Sequence, residues 1–174
     1  MALEEFVILV DQNDQEIGEM EKQEAHVLNK KHRAFSVFLF DENNNMILQQ
    51  RADSKYHSPG LWTNACCGHP RPNETTINAA KRRTFEEMGI QVDIHEVFEI
   101  SYEEKLENGL WENEYDHIFI GKYLQNNFNL NPEEIQNIKS ISLDDLKTDL
   151  QENPENYTFW FKLIFGKMDF EDVL

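Results

Sequence analysis

Apolar and polar positions along the chain alternate in short runs, as in a protein built on strands with a few helices. Phe6–Asp11 is a brief apolar run rich in β-branched residues and predicts a strand, followed by the turn-forming Gln12–Gln15. Ala34–Phe40 is apolar at alternate positions on both sides, with Phe38 and Phe40 on one face and Phe35, Val37 and Leu39 on the other. That pattern predicts a central strand covered on both faces. The polar Asp41–Asn45 then leads into Met46–Gln50, giving a hairpin, and Leu61–Cys66 predicts a further short strand.

From Thr75 to Met88 the period becomes helical. Ile77, Ala80, Thr84 and Met88 are spaced as one buried stripe, and Gly89 stands where a C-terminal cap glycine belongs. Strands are predicted at Val92–Ile100, Tyr102–Leu106 and Tyr115–Tyr123, with Asn108 and Gly109 as a turn. Helices are predicted at Leu143–Leu150 and Pro154–Phe165, the latter with proline in its first turn. Neither a repeat nor a linker divides residues 1–174, so the expectation is one α/β domain (α+β) with a mixed β-sheet core between helices.

Composition narrows the function. The 174 residues are 40% hydrophobic and 11% aromatic, enough for a buried core and a ligand cleft. No apolar run reaches the roughly 20 residues of a membrane span. The amino-terminal stretch lacks the basic segment of a signal peptide, so a cytoplasmic protein is expected. A net charge of -17 argues against nucleic acid, whose phosphates require lysine and arginine. The two cysteines, Cys66 and Cys67, are adjacent, a spacing that disfavours a disulfide and suits a reducing compartment.

Between Gly68 and Ile90 the chain reads GHPRPNETTINAAKRRTFEEMGI, with five residues separating Gly68 from Glu74 and seven more before Arg82. Glu86, Glu87, Gly89 and Ile90 complete the set. Arg82–Glu86 and Arg83–Glu87 are i,i+4 pairs that a solvated helix face would also carry. The full spacing, however, resembles the Nudix box, a loop–helix–loop that presents carboxylates to divalent cations gripping a diphosphate. Such hard cations favour oxygen ligands. Where Nudix hydrolases place a further glutamate after the box arginine, this chain has Arg83.

The segments Trp62–Pro70 (WTNACCGHP) and Trp111–Glu114 (WENE), together with Glu21–Lys22 and Ala25–His26, are similar to signature segments of type 1 isopentenyl-diphosphate isomerases. The resemblance covers about Val7 to Trp160. It implies a Nudix fold and the interconversion of isopentenyl and dimethylallyl diphosphate. It implies His26, His32, His69, Glu112 and Glu114 as ligands of a transition metal such as Mn²⁺ or Zn²⁺, a mixed nitrogen and oxygen set. Mg²⁺ would bridge the diphosphate through Glu87.

Cys67 and Glu114 take the proton-transfer roles in that comparison. Tyr102 assists Glu114, and Trp160 offers its π face to a carbocation. Lys22, Arg51, Lys55 and Arg83 match the diphosphate contacts. His57, His95 and His117 match no ligand position, and Cys66 matches no role. No flavin is implied, because the chain has no dinucleotide glycine motif. The expected partner is a small isoprenoid diphosphate, with neither nucleic acid nor membrane, for a monomer or dimer. The alternative reading is a Nudix hydrolase of a nucleoside diphosphate derivative, which shares Glu86 and Glu87 but has no need of Cys67 or the Glu112/Glu114 pair.

Overall fold

The computed structural model describes residues 5–174. Nine strands form one mixed sheet: β1 Phe6–Val10, β2 Glu16–Glu21, β3 His32–Phe40, β4 Met46–Arg51, β5 Trp62–Thr63, β6 Cys66–Gly68, β7 Ile94–Lys105, β8 Trp111–Lys122 and β9 Ile135–Ile141. The helices are α1 Lys22–Val27, α2 Thr76–Met88, α3 Leu143–Glu152 and α4 Phe159–Phe165. Strand β3 is the hub. It runs parallel to β8 along its whole length, and antiparallel to β1, β4 and β6. Strand β7 extends the sheet beyond β8, and β9 extends it beyond β4.

The two-sided apolar pattern of β3 sorts its residues between two cores. Phe35, Val37 and Leu39 pack with Ala79, Ala80 and Met88 under α2. Phe38 and Phe40 pack with Tyr157, Trp160, Phe161 and Phe170 on the opposite face. Burying each large side chain contributes about 1.5–3 kcal/mol, so these layers dominate the packing energy. Phe170, in the acidic tail, is buried against Phe38, tying residues 168–174 to the second core.

Helix α2 is capped as its composition requires. The Thr75 hydroxyl accepts from the Asn78 amide, and Gly89 adopts φ 68°, returning its amide to the Phe85 carbonyl. A Cβ at Gly89 would lie 2.6 Å from Asn129 Cβ, so space as well as conformation demands glycine there. The predicted stripe needs one correction: Ile77 is exposed and Ala79 takes the buried place.

Other departures have local causes. Strand β2 reads EIGEME, too charged to predict a strand, and pairs only with β1 at the sheet's edge. Helix α1 has only six residues and is held by the Glu21 carboxylate, which accepts from the Gln23 and Glu24 amides. Leu61–Cys66 is split into β5 and β6 by Asn64, whose side chain donates to the Val37 and Cys66 carbonyls. The two predicted strands across residue 101 are one continuous β7. Pro154–Phe165 breaks into a short 3₁₀ turn and α4, where the Thr158 amide donates to the Trp62 carbonyl instead of continuing the helix.

Candidate active site

One end of β3 is where the chemistry collects. His32 begins β3 and pairs with Glu114 on β8, while Ser36 pairs with Cys67 on β6, at the other edge of the same strand. Alternation along β8 turns Glu112, Glu114 and Asp116 to one face. Together with the loop after β4 and helices α2 and α4, these strands line a cleft with about 1040 Å³ of open space, including its mouth. Gly68 is placed by close approach: a Cβ there would lie 3.0 Å from the Phe35 ring.

Four side chains converge at one end of this cleft. One ligand atom from each of His26, His32, His69 and Glu114 lies within 4.8 Å of the others, a grouping able to hold a metal ion. The backbone selects their protonation. His26 Nδ1 lies 2.8 Å from the Trp111 carbonyl and His32 Nδ1 2.7 Å from the Lys30 carbonyl, so both rings donate outward and turn their Nε2 lone pairs inward. His26 Nε2 is buried with no hydrogen-bond partner. His32 Nε2 and His69 Nε2 face each other at 3.2 Å, and His69 Nε2 lies 2.8 Å from Glu114 Oε1. Burial lowers His69 to about 3, and burial together with His32 lowers His26. Imidazole nitrogens, one of them orphaned and turned inward, and a carboxylate suit a divalent transition metal.

Glu112, expected among the ligands, stands outside that group of four. Its carboxyl lies 3.8 Å from His57 Nε2, because it is one pleat repeat beyond Glu114 on β8. Burial and the neighbouring Glu114 push Glu112 well above the usual carboxylate range. Burial acts in the same direction on Glu114, but hydrogen bonds to His32 and His69 outweigh it and hold Glu114 well below that range. The two neighbouring carboxyls are thus pushed in opposite directions, Glu112 toward the protonated form and Glu114 toward the ionised form.

Tyr102 on β7 lies across from Glu114 and donates its hydroxyl to Oε2 at 2.6 Å. Asp116 sits fully buried behind this pair, accepting from Ser36 at 2.8 Å and facing the Tyr102 hydroxyl at 3.4 Å. Cys67 also lines the cleft, and burial pushes its thiol up to about 12. Cys66, fully buried, belongs to the core under α2.

The cations line the same cleft. Lys22 donates to Glu5 at 2.9 Å, Lys55 to Glu134 at 2.6 Å and Arg83 to Glu87 at 2.6 Å. Both i,i+4 pairs of α2 are present, yet they differ: Glu87 is buried, while Glu86 is more than a third exposed. Arg82, which also lines the cleft, grips Glu74 with a two-pronged bond, at 2.7 and 2.9 Å, which ties the loop to the helix. Arg51 lies over the Trp160 ring at 5.4 Å and donates to the His57 carbonyl, while its buried Nε has no partner.

His57, Glu134 and Arg71 also line the cleft and were not singled out from the sequence. His57 packs edge-on to Trp160 at 5.7 Å, and burial lowers it to about 2. Its only sequence signal is its place in a polar loop beside Lys55. His117 is engaged elsewhere, between Asp14 and Glu96 at 2.9 and 2.8 Å.

Residues 30–161 match the NUDIX domain family. The isopentenyl-diphosphate Delta-isomerase of Pectobacterium atrosepticum is 43% identical, aligned over 93% of this chain and 90% of that protein. Isopentenyl-diphosphate Delta-isomerase 1 of Aromatoleum aromaticum is 47% identical, over 95% and 93% respectively. Among solved structures, DR0079 from Deinococcus radiodurans superposes with a TM-score of 0.78 at 14% identity, covering 94% of this chain and 98% of that one. The MutT protein from Methanosarcina mazei gives 0.66 at 18%, covering 82% and 95%. These two speak to the fold alone. By sequence and by fold, the chain belongs to the NUDIX family and, within it, to the isopentenyl-diphosphate Delta-isomerases.

Proposed function

We propose that this protein interconverts isopentenyl and dimethylallyl diphosphate by proton transfer between Cys67 and Glu114 across one cleft. The observation that carries the reading is their placement on β6 and β8, on opposite edges of β3, with Lys22, Arg51, Lys55 and Arg83 in the same cleft.

An allylic shift of this kind changes no oxidation state. A proton is added to the terminal alkene carbon, which leaves a tertiary cation, and another is taken from the neighbouring methylene as the new double bond forms. A donor and an acceptor must therefore flank the substrate. Cys67 holds its proton at Sγ, since burial keeps the thiol neutral. The Glu114 carboxylate is oriented at Oε2 by Tyr102 and at Oε1 by His69. In the reverse direction the same two groups exchange roles.

Trp160, fixed between Arg51 and His57, presents an aromatic face that favours positive charge. Trp160 and Tyr102, both buried, shield that side of the cleft from water, which would otherwise trap the cation as an alcohol. Lys22, Lys55 and Arg83 anchor the diphosphate, and Arg51 joins that anchor to Trp160. A divalent cation held by His26, His32, His69 and Glu114, Mn²⁺ or Zn²⁺ by its donor set, would act as a Lewis acid that tunes the Glu114 carboxyl. Glu87, buried beside Arg83, is the carboxylate suited to a Mg²⁺ that accompanies the diphosphate.

The test is turnover of isopentenyl diphosphate followed by NMR for the wild type, Cys67→Ala and Glu114→Gln. Wild type should form dimethylallyl diphosphate, and each variant should lose at least a thousandfold in kcat. Release of phosphate without isomerisation, or near-normal turnover in either variant, contradicts the reading.

A further inference from the structure

The carboxylate of Glu134 lies between two of the cations assigned to the diphosphate. Its Oε2 is 2.6 Å from Lys55 Nζ and its Oε1 is 3.3 Å from Arg83 Nη2. Nothing in the family motifs singles it out, yet its backbone is closely fixed. The Glu134 carbonyl accepts from the Ala52 amide at 2.9 Å, and its amide donates to the Asn131 carbonyl at 3.0 Å. Asn131 in turn donates its amide to the Glu87 carbonyl at the end of α2 at 2.8 Å. A turn held at both ends thus aims one carboxylate at Lys55 and Arg83.

We propose that Glu134 is a built-in competitor for the diphosphate: it holds Lys55 and Arg83 in place and gives them up when a diphosphate binds. The geometry gives it the anion's place. Two cations converging on a partly enclosed site repel one another unless an anion lies between them. With side chains 20% and 21% exposed, the Lys55–Glu134 pair is shielded enough to matter, and open enough to exchange. The diphosphate has more charge and more acceptor oxygens than one carboxylate, so it wins the two cations, but its affinity is reduced by the bonds it must break. A monophosphate, or a neutral prenyl alcohol, competes less well. Glu134 therefore sets a threshold that favours the doubly phosphorylated ligand.

The inference rests on the diphosphate reading of the cleft, and the experiment separates the two. Calorimetric binding of inorganic pyrophosphate, with and without Mg²⁺, is measured for wild type and for Glu134→Gln, which keeps the shape of the side chain and removes its charge. If wild type binds no pyrophosphate under either condition, the diphosphate reading fails. If wild type binds, Glu134→Gln should bind three- to tenfold more tightly without Mg²⁺. The same variant should lower KM for isopentenyl diphosphate, with the change in KM exceeding that in kcat.

Equal or weaker binding overturns the inference. Weakening confined to Mg²⁺-containing buffer would make Glu134 a metal-facing residue instead. In a Lys55→Gln background the gain from Glu134→Gln should shrink below twofold, and an undiminished gain would show that Glu134 does not act through Lys55. Glu134→Asp, which shortens the reach by one methylene, gives an independent reading. It should tighten pyrophosphate at least twofold, and no tightening there also overturns the proposal.

Discussion

Replacing Tyr102 by Phe removes a single oxygen from the site and leaves the ring packing in place. In the native protein that oxygen donates to Glu114 Oε2 at 2.6 Å and faces Asp116 at 3.4 Å, and Tyr102 is only 8% exposed. A hydrogen bond to a charged group contributes about 1.5–3 kcal/mol. At 1.36 kcal/mol per factor of ten, losing it where proton transfer occurs lowers kcat by about 10- to 150-fold. Tyr102 does not touch Lys22, Lys55 or Arg83, so KM should stay within about threefold of the wild-type value. Initial rates from isopentenyl diphosphate across a substrate series separate the two constants, and a melting curve confirms that the variant is folded. A kcat within twofold of wild type, or a loss confined to KM, would show that the Tyr102–Glu114 bond does not serve the chemical step.

Other consequences are as direct. Cys66→Ala should keep at least half of wild-type kcat while costing about 1 kcal/mol in urea unfolding, since it removes one buried heavy atom from a packed core; a Cys67-like loss of turnover would identify Cys66 as the reactive thiol. Exhaustive chelation should abolish turnover in Mg²⁺ alone, with recovery on adding Mn²⁺ or Zn²⁺, and His32→Ala should lower the bound metal measured by elemental analysis; full activity of metal-free protein would refute the metal assignment. His57 is held to about 2 by burial, whereas the unfolded chain takes up a proton near pH 6.5. A depressed histidine makes folding less favourable as pH falls, by about 1.4 kcal/mol per unit below the unfolded value. His57→Gln should therefore flatten the acid limb of stability by that slope between pH 6 and 4. An unchanged slope in urea titrations would mean that His57 protonates in the folded protein.

What could be read in advance follows from how local each signal is. Strand β3 carries its position in its own residues, because a run apolar on both faces has few alternatives to the middle of a sheet. Helix α2 announces itself with Thr75 and Gly89 at its ends. Strand β9 (IQNIKSI) and the edge strand β2 stayed hidden because neither is apolar enough to stand out, and pairing with a neighbour supplies their order. The site divides in the same way. Cys67, His69 and the Glu112–Glu114 pair lie in compact motifs, so the cleft could be sketched from the sequence. Glu134 and His57 enter it through loops, and only the folded backbone brings them to Lys55 and Trp160. The position of Glu112 beyond the four converging ligand atoms likewise depends on β8 register and neighbouring charges, which a spacing of two residues does not report.

The most direct test of the central claim is a proton NMR time course of the wild-type protein in D₂O with isopentenyl diphosphate, Mg²⁺ and Mn²⁺. The account predicts growing dimethylallyl diphosphate signals with deuterium entering the newly formed methyl group and, through the reverse reaction, the C2 methylene of isopentenyl diphosphate, since protons exchange through Cys67 and Glu114. Isomerisation without any deuterium uptake, or an unchanged carbon skeleton with only phosphate released, would contradict proton transfer across this cleft.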